Sequence, residues 1–130
     1  MKVMLDTNIL LDLTLKRENF NKVKRVLSTT GYEYCVCSLT LKDVFYITNS
    51  VMEFPKSDMK KMSDLLTILT VNREVVEHAY NSKMADLEDA IQEQCAKRSN
   101  VDVIITSDKK LIKQSMLKAM TLDDFIEMHM

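Results

Sequence analysis

Two short apolar runs end on aspartates: Val3, Met4 and Leu5 lead to Asp6, and Val103, Ile104, Ile105 and Thr106 lead, past Ser107, to Asp108. A further cluster of acids, Asp86, Glu88 and Asp89, precedes the second run. Carboxylates gathered in one cleft repel by about 4 kcal/mol per pair at 4 Å and an effective dielectric near 20, so a fold that gathers them calls for a cation. The pattern therefore points to a divalent-metal site. Hard oxygen ligands suit Mg²⁺ or Mn²⁺, which keep several waters when bound.

Each acid also has a plainer reading. Asp6 stands where an N-cap belongs, although Thr7 or Asn8 could cap the following helix in its place. Asp86 and Asp89 are spaced like a capping pair at a helix N-terminus. On that helix Asp86, Asp89 and Glu93 would share one face, with Met84, Leu87, Ile91 and Cys95 on another, and the acidic stripe reads equally as solvated or as metal-facing. Asp108 could cap a short helix of its own, in competition with Ser107. Asp12 reads as solvated or salt-bridged. Asp43 is out of place in an otherwise apolar stretch from Leu39 to Ile47, where a charge is costly unless it reaches solvent, a cation or a partner.

The elements that must position these acids follow from periodicity. Residues 2–6 read as a buried strand, followed by a first helix carrying Ile9, Leu10, Leu11, Leu13 and Leu15. A helix over 19–29 stops at Gly31, and Tyr34 to Cys37 form a second strand. Ser38 is the expected N-cap of a helix over 39–50, and Ser57 or Asp58 that of a helix ending near Leu65. Residues 66–71 are rich enough in β-branched residues for a third strand. Helices over 73–81 and 84–98 precede a fourth strand at 101–106. A short helix from Asp108, a fifth strand at 118–120 and a last helix capped by Thr121 complete the chain. Such alternation predicts an α/β fold, a three-layer α/β/α sandwich around a mostly parallel sheet of four or five strands. In such sheets sites form at the carboxyl ends of strands, where Asp6 and Asp108 stand.

Composition narrows the class. The chain has 130 residues, 46% hydrophobic and 28% charged, which fits a single domain over 1–130 burying roughly two-thirds of its unfolded surface. No apolar run approaches the about 18 residues of a membrane span, and Asp6, Asn8 and Asp12 interrupt the only apolar stretch that could serve as a signal peptide. The expectation is a cytoplasmic protein with no membrane association. Three cysteines, Cys35, Cys37 and Cys95, lack metal-knuckle or disulfide-framework spacing and read as reduced, structural thiols. A net charge of -1 excludes a strongly basic nucleic-acid binder, so a polyanion would be held by local patches or by metal. Of the basic clusters, Lys109, Lys110 and Lys113 follow Asp108 directly and are the best candidates for a phosphate-tracking rim. His78 and His129 have no surroundings that suggest a base or a ligand.

The spaced set resembles the PIN-domain ribonuclease family over nearly the whole chain. It is carried by Leu5 to Asp12, by Ser38 to Asp43, by Asp86 to Ala90, and by Ile104 to Asp108. The resemblance implies four catalytic acids: Asp6, Asp43 where a Glu is usual, Asp89 and Asp108, with Asp6, Asp89 and Asp108 holding metal. It also implies that Asn8 and Thr106 support the site and that Asp86 is a nearby acid. The implied activity is hydrolysis of RNA with Mg²⁺ or Mn²⁺. A member of this size is similar to the toxin of bacterial toxin–antitoxin pairs, which implies an antitoxin protein as partner. Two positions depart from the family pattern: Asp43 is one methylene short, and Ser107 stands where a basic residue is common.

Ten methionines are many for this length. Val51, Met52, Met59 and Met62 around Pro55 could form an adaptable apolar surface for a second copy or an inhibitor peptide. Two rivals to the nuclease reading are a PIN-fold module that binds RNA or protein without cutting, and a phosphatase or phosphoacceptor using Asp6 as nucleophile. Asn8, two residues on, lacks the acid that phosphatase chemistry uses.

Overall fold

The computed structural model describes residues 1–130. Five strands, β1 (Lys2–Leu5), β2 (Glu33–Cys37), β3 (Thr67–Leu69), β4 (Val103–Ile105) and β5 (Ala119–Met120), form one sheet. Its order is β3-β2-β1-β4-β5 and every pairing is parallel. The helices are α1 (Thr7–Thr14), α2 (Phe20–Ser28), α3 (Ser38–Val51), α4 (Lys56–Ser63), α5 (Arg73–Tyr80), α6 (Leu87–Arg98), α7 (Lys109–Gln114) and α8 (Leu122–His129). None is long and apolar enough to cross a membrane.

Alternation along β1 sends Val3 and Leu5 to one face of the sheet and Met4 to the other, and each face has its own core. Val3 and Leu5 pack with Val23, Val26, Val44 and Phe125 beneath α1–α4 and α8. Met4 and Ile104 pack with Cys35, Cys37, Val75, Cys95 and Leu111 beneath α5–α7. The three-layer architecture follows directly from these two apolar faces.

Strand order creates the site. From β1 the chain proceeds to β2 and β3 on one side, then returns through α5 and α6 to place β4 on the other side of β1. The β1/β4 boundary is thus a topological switch point, where the connecting helices diverge and leave a crevice at the strands' carboxyl ends. Leu5 pairs with Ile105 in register, and the Asp6 amide donates to the Ile105 carbonyl at 3.0 Å. Asp6 and Thr106 therefore leave the sheet side by side.

Several local expectations are corrected. The helix expected over 84–98 begins at Leu87, with Asp86 as its cap, while Met84 is buried in the preceding loop. Ser38 is the first residue of α3 rather than its cap, because β2 runs straight into the helix; its hydroxyl instead accepts the Val71 amide at 3.3 Å. Neither Ser57 nor Asp58 caps α4, which starts directly after Pro55. Met59 and Met62 pack on the core, so only Val51 and Met52 of the suggested methionine surface are exposed. Thr121 does cap α8, accepting the Asp124 amide at 3.1 Å.

Candidate functional site

Asp6 is the buried hub of the crevice, 6% exposed. Its Oδ1 accepts the Thr7 amide at 2.7 Å and the Gln92 side-chain amide at 2.9 Å, and its Oδ2 accepts the Thr106 hydroxyl at 2.6 Å. It is therefore both the cap of α1 and a carboxylate locked by side chains from α6 and the end of β4. Thr106 is wholly buried, and its hydroxyl also accepts the Asp108 amide at 3.0 Å. One threonine thus fixes the carboxylate of the first strand end and the backbone of the second.

Beside this hub lies an open cleft of about 690 Å³ lined by Asp86, Asp89, Asp108, Lys110, Lys113 and Gln114 among others. Asp86 caps α6 by accepting the Asp89 amide at 3.0 Å, and Asp108 caps α7 by accepting the Lys110 amide at 2.9 Å. Capping thus delivers both acids to the cleft at helix N-termini, where the dipole offsets part of their charge. The Asp89 carboxyl is pushed up to about 6, first by desolvation and then by the charges of Asp86, Asp108 and Asp6. Four acids from three segments therefore feel one another across the crevice.

Asp43 lies at the edge of this group. It is within 3.5 Å of the Lys42 ammonium and shares a hydrogen bond with Glu88, whose carboxyl is pushed up to about 7 by that bond, by burial, and by Asp43, Asp86 and Asp89. Asp43 and the cleft acids Asp86 and Asp89 thus meet at Glu88. Asn8 is exposed on the first turn of α1 and makes no hydrogen bond with the acids. Lys109 is exposed outside the cleft, whereas Lys110 and Lys113 form its rim. As placed, no three acids are grouped tightly enough to hold a metal ion directly between them.

The acidic stripe along α6 is corrected. Glu93 is 2% exposed, neither solvated nor in the acid cleft, and its Oε2 accepts the Met116 amide at 2.9 Å. Leu87, expected on the apolar face, is 45% exposed. Asp12 is salt-bridged to Arg17 at 3.7 Å. The three thiols are free and buried. Cys37 is pulled down to about 7 by a hydrogen bond from Cys95 and by the Leu39 and Thr40 amides, against its burial.

Gln92 has a place in the crevice that the sequence does not signal, and Glu88 of the acidic run has a link to Asp43 that only packing creates. Gln92 holds Asp6, and its own Oε1 is buried without a partner, as is the Thr7 hydroxyl. Glu88 extends the acid group to Asp43. A buried glutamine three positions after Asp89 carries no distinguishing sequence signal, whereas Glu88 was visible as part of the acidic run.

Comparison with known folds agrees with this architecture. VapBC2 from Rickettsia felis bound to a DNA fragment from their promoter has a similar chain, with a TM-score of 0.73 and 16% identity over 93% of this chain and 98% of that one. VapBC-1 from nontypeable Haemophilus influenzae gives 0.68 and 18% over 95% and 99%. Mycobacterium tuberculosis VapC20, described as a Sarcin-Ricin loop cleaving toxin, gives 0.69 and 11% over 85% and 93%. At these identities the likeness is one of fold. No curated protein matches the sequence. The PIN domain family model matches residues 2–110. Because that match runs from β1 into α7 and takes in every acid of the crevice, the chain belongs to the PIN domain family.

Proposed function

We propose that this PIN domain is a Mg²⁺- or Mn²⁺-dependent endoribonuclease acting in the cytoplasm as the toxin of a toxin–antitoxin pair. The observation that carries the reading is the convergence of Asp6, Asp86, Asp89 and Asp108 on one crevice at the β1/β4 switch point, with Lys110 and Lys113 on its rim. The donor set fits a hard divalent ion: it is all oxygen, its Asp89 is held up at about 6 by burial and by the charges of Asp86, Asp108 and Asp6, and it is flanked by two unpartnered groups, Gln92 Oε1 and Thr7 Oγ1. Asp6, Asp89 and Asp108 would hold the ion, partly through water, which accords with their open spacing. A bound ion would lower the pKa of an attacking water and neutralise charge developing on the phosphate. Thr106 and Gln92 keep Asp6 in one orientation, and Lys110 and Lys113 bring the phosphate backbone to the acids. Asp43, acting with Glu88, completes the acid set.

The toxin part rests on the likeness in fold to structures that include a toxin–antitoxin complex from Klebsiella pneumoniae and a toxin described as cleaving the Sarcin-Ricin loop. An antitoxin or a second copy would find exposed apolar groups at Tyr46, Val51 and Met52. A second reading, a PIN-fold module that binds without cutting, is favoured by the short Asp43 and the loose spacing of the acids.

Cleavage of mixed RNAs in Mn²⁺ by wild type, Asp6→Asn and Asp89→Asn separates the two. The nuclease reading expects cutting by wild type alone, abolished by EDTA. Equal cutting by all three places the chemistry elsewhere, and EDTA-insensitive RNA binding without cutting supports the binding module. Light scattering reports the homodimer, and co-expression with a neutralising protein reports the antitoxin.

A further inference from the structure

A second recess of about 610 Å³ lies along the same face of α6 as the acid cleft. Asp89 lines the first cleft and Glu93 and Lys97 line the second, each one helical turn beyond the last. The opposite wall is continuous too: Gln114 borders the acid cleft and Met116 borders the recess. The buried Glu93 carboxylate ties these walls together by accepting the Met116 amide at 2.9 Å, which leaves the Met116 side chain 84% exposed at the mouth.

The chemistry of the recess differs from that of the acid cleft. Lys83, Lys97 and His78 line it, and none of them takes part in any of the seven ion pairs of the chain. Two unpaired ammonium groups in a polar depression of this size suit a phosphodiester, while Gln94 offers an amide to a base edge and Met116 an apolar contact to its face. From Asp89 to Lys97 is about 12 Å along the helix, the span of a few nucleotides of single strand. Lys110 and Lys113 on the acid cleft continue the positive rim.

The geometry points to this recess as a subsite for single-stranded RNA flanking the scissile phosphate, with Lys83 and Lys97 holding the backbone of the flanking nucleotides. The inference rests on the nuclease reading above and assigns the path of its substrate. Neither lysine belongs to the acid site, so the subsite governs substrate affinity rather than the chemical step.

The test compares wild type with Lys83→Ala/Lys97→Ala and with the charge-keeping Lys83→Arg/Lys97→Arg pair. Cleavage of an RNA oligonucleotide is followed in Mn²⁺, and binding of the same RNA is titrated against salt in EDTA, where no cutting occurs. The alanine pair is expected to raise KM about tenfold with kcat within twofold, and to lower the salt slope of log affinity by about 1.4, the loss of two phosphate contacts on a single strand. Its Mn²⁺-dependent melting shift should match wild type, and the arginine pair should retain wild-type KM. Unchanged KM and salt slope in the alanine pair, with wild type cutting, overturns the subsite and leaves the nuclease reading standing. If wild type binds RNA without cutting, the nuclease reading falls and the salt slopes alone decide the subsite. If wild type neither binds nor cuts RNA, both fall together.

Discussion

Gln92, on the second turn of α6, donates its side-chain amide to Asp6 Oδ1 at 2.9 Å, across 86 positions of sequence. That bond and the 2.6 Å bond from Thr106 to Oδ2 clamp the carboxylate from two sides. Removing either donor should loosen the proposed metal site, by different amounts. Gln92→Leu loses one charge-assisted bond but also removes the unpartnered Oε1, so it should cost about 1 kcal/mol of stability. Thr106→Val keeps the shape but strips a donor from Asp6 and an acceptor from the Asp108 amide, and should cost about 2–3 kcal/mol. Both should weaken Mn²⁺ binding about tenfold or more, as loss of a group that orients a ligand does. Urea unfolding and Mn²⁺ titration of the melting temperature measure the two effects; a Thr106→Val as stable as Gln92→Leu would refute the ordering.

The crowded acids give the metal-free protein a definite pH dependence. The Asp89 carboxyl is raised to about 6 by burial and by Asp86, Asp108 and Asp6, and that of Glu88 to about 7, chiefly by its bond with Asp43. An acid raised in the folded state adds stability that is fully present below its unfolded pKa and is lost as pH rises through the folded value. In EDTA the protein should therefore lose stability between about pH 4 and 7, by about 1 kcal/mol once solvent screening of these partly open groups is allowed for. Asp89→Asn should flatten the loss up to about pH 6, and Glu88→Gln the part that extends to about 7. Saturating Mn²⁺ should invert the trend, because the cation competes with these protons and binds more weakly below pH 6. A metal-free melting temperature that rises from pH 5 to 7.5 would contradict the assignment.

What could be read along the chain was what local pattern controls. Asp6 and Asp108 are visible as site candidates because each ends a short apolar run, and the parallel sheet then brings those ends together. Gln92 is invisible because its role exists only once β1, β4 and α6 are packed. Glu93 was misread for a related reason: helical periodicity assigns residues to a face, but not what covers each turn of it, and the segment at Met116 closes over Glu93 while leaving Asp89 open. Ser38 failed as a cap because β2 passes into α3 without a loop residue between them. The roles of Gln92 and Glu93 are thus both consequences of contacts between distant segments, whereas that of Ser38 is set by a local junction.

Asp43 offers a gain-of-function test. It is one methylene shorter than the Glu that the family pattern favours, and it meets the site through Glu88. Asp43→Glu should lengthen the reach of the carboxylate into the crevice and raise cleavage in Mn²⁺ severalfold, with tighter metal binding. Glu88→Gln should have a smaller effect on cleavage, because the amide still offers a hydrogen bond to Asp43 while removing one repelling charge. If Asp43→Glu lowers cleavage while Asp43→Asn leaves it unchanged, Asp43 has no part in the chemistry. Calorimetric Mn²⁺ titration alongside the cleavage rates distinguishes a change in metal affinity from a change in the chemical step.

The C-terminal helix supplies a contrast between a buried ring and a half-buried one. Phe125 is wholly buried, packed edge-on against Tyr32 with centroids 5.8 Å apart and tilted against His129 at 4.8 Å. Phe125→Ala should cost about 3–5 kcal/mol, because the cavity would open where α8 meets α2 and the core of the sheet. His129 packs on the same ring, yet its Nε2 is buried with no hydrogen-bond partner. A desolvated, unpaired nitrogen costs about 1–3 kcal/mol, so His129→Phe, which keeps the aromatic contact and removes the polar atom, should leave stability unchanged or raise it by about 1 kcal/mol. Urea unfolding of the two variants reads both effects. A His129→Phe protein destabilised as strongly as Phe125→Ala would mean that the imidazole makes a polar contact on which α8 depends.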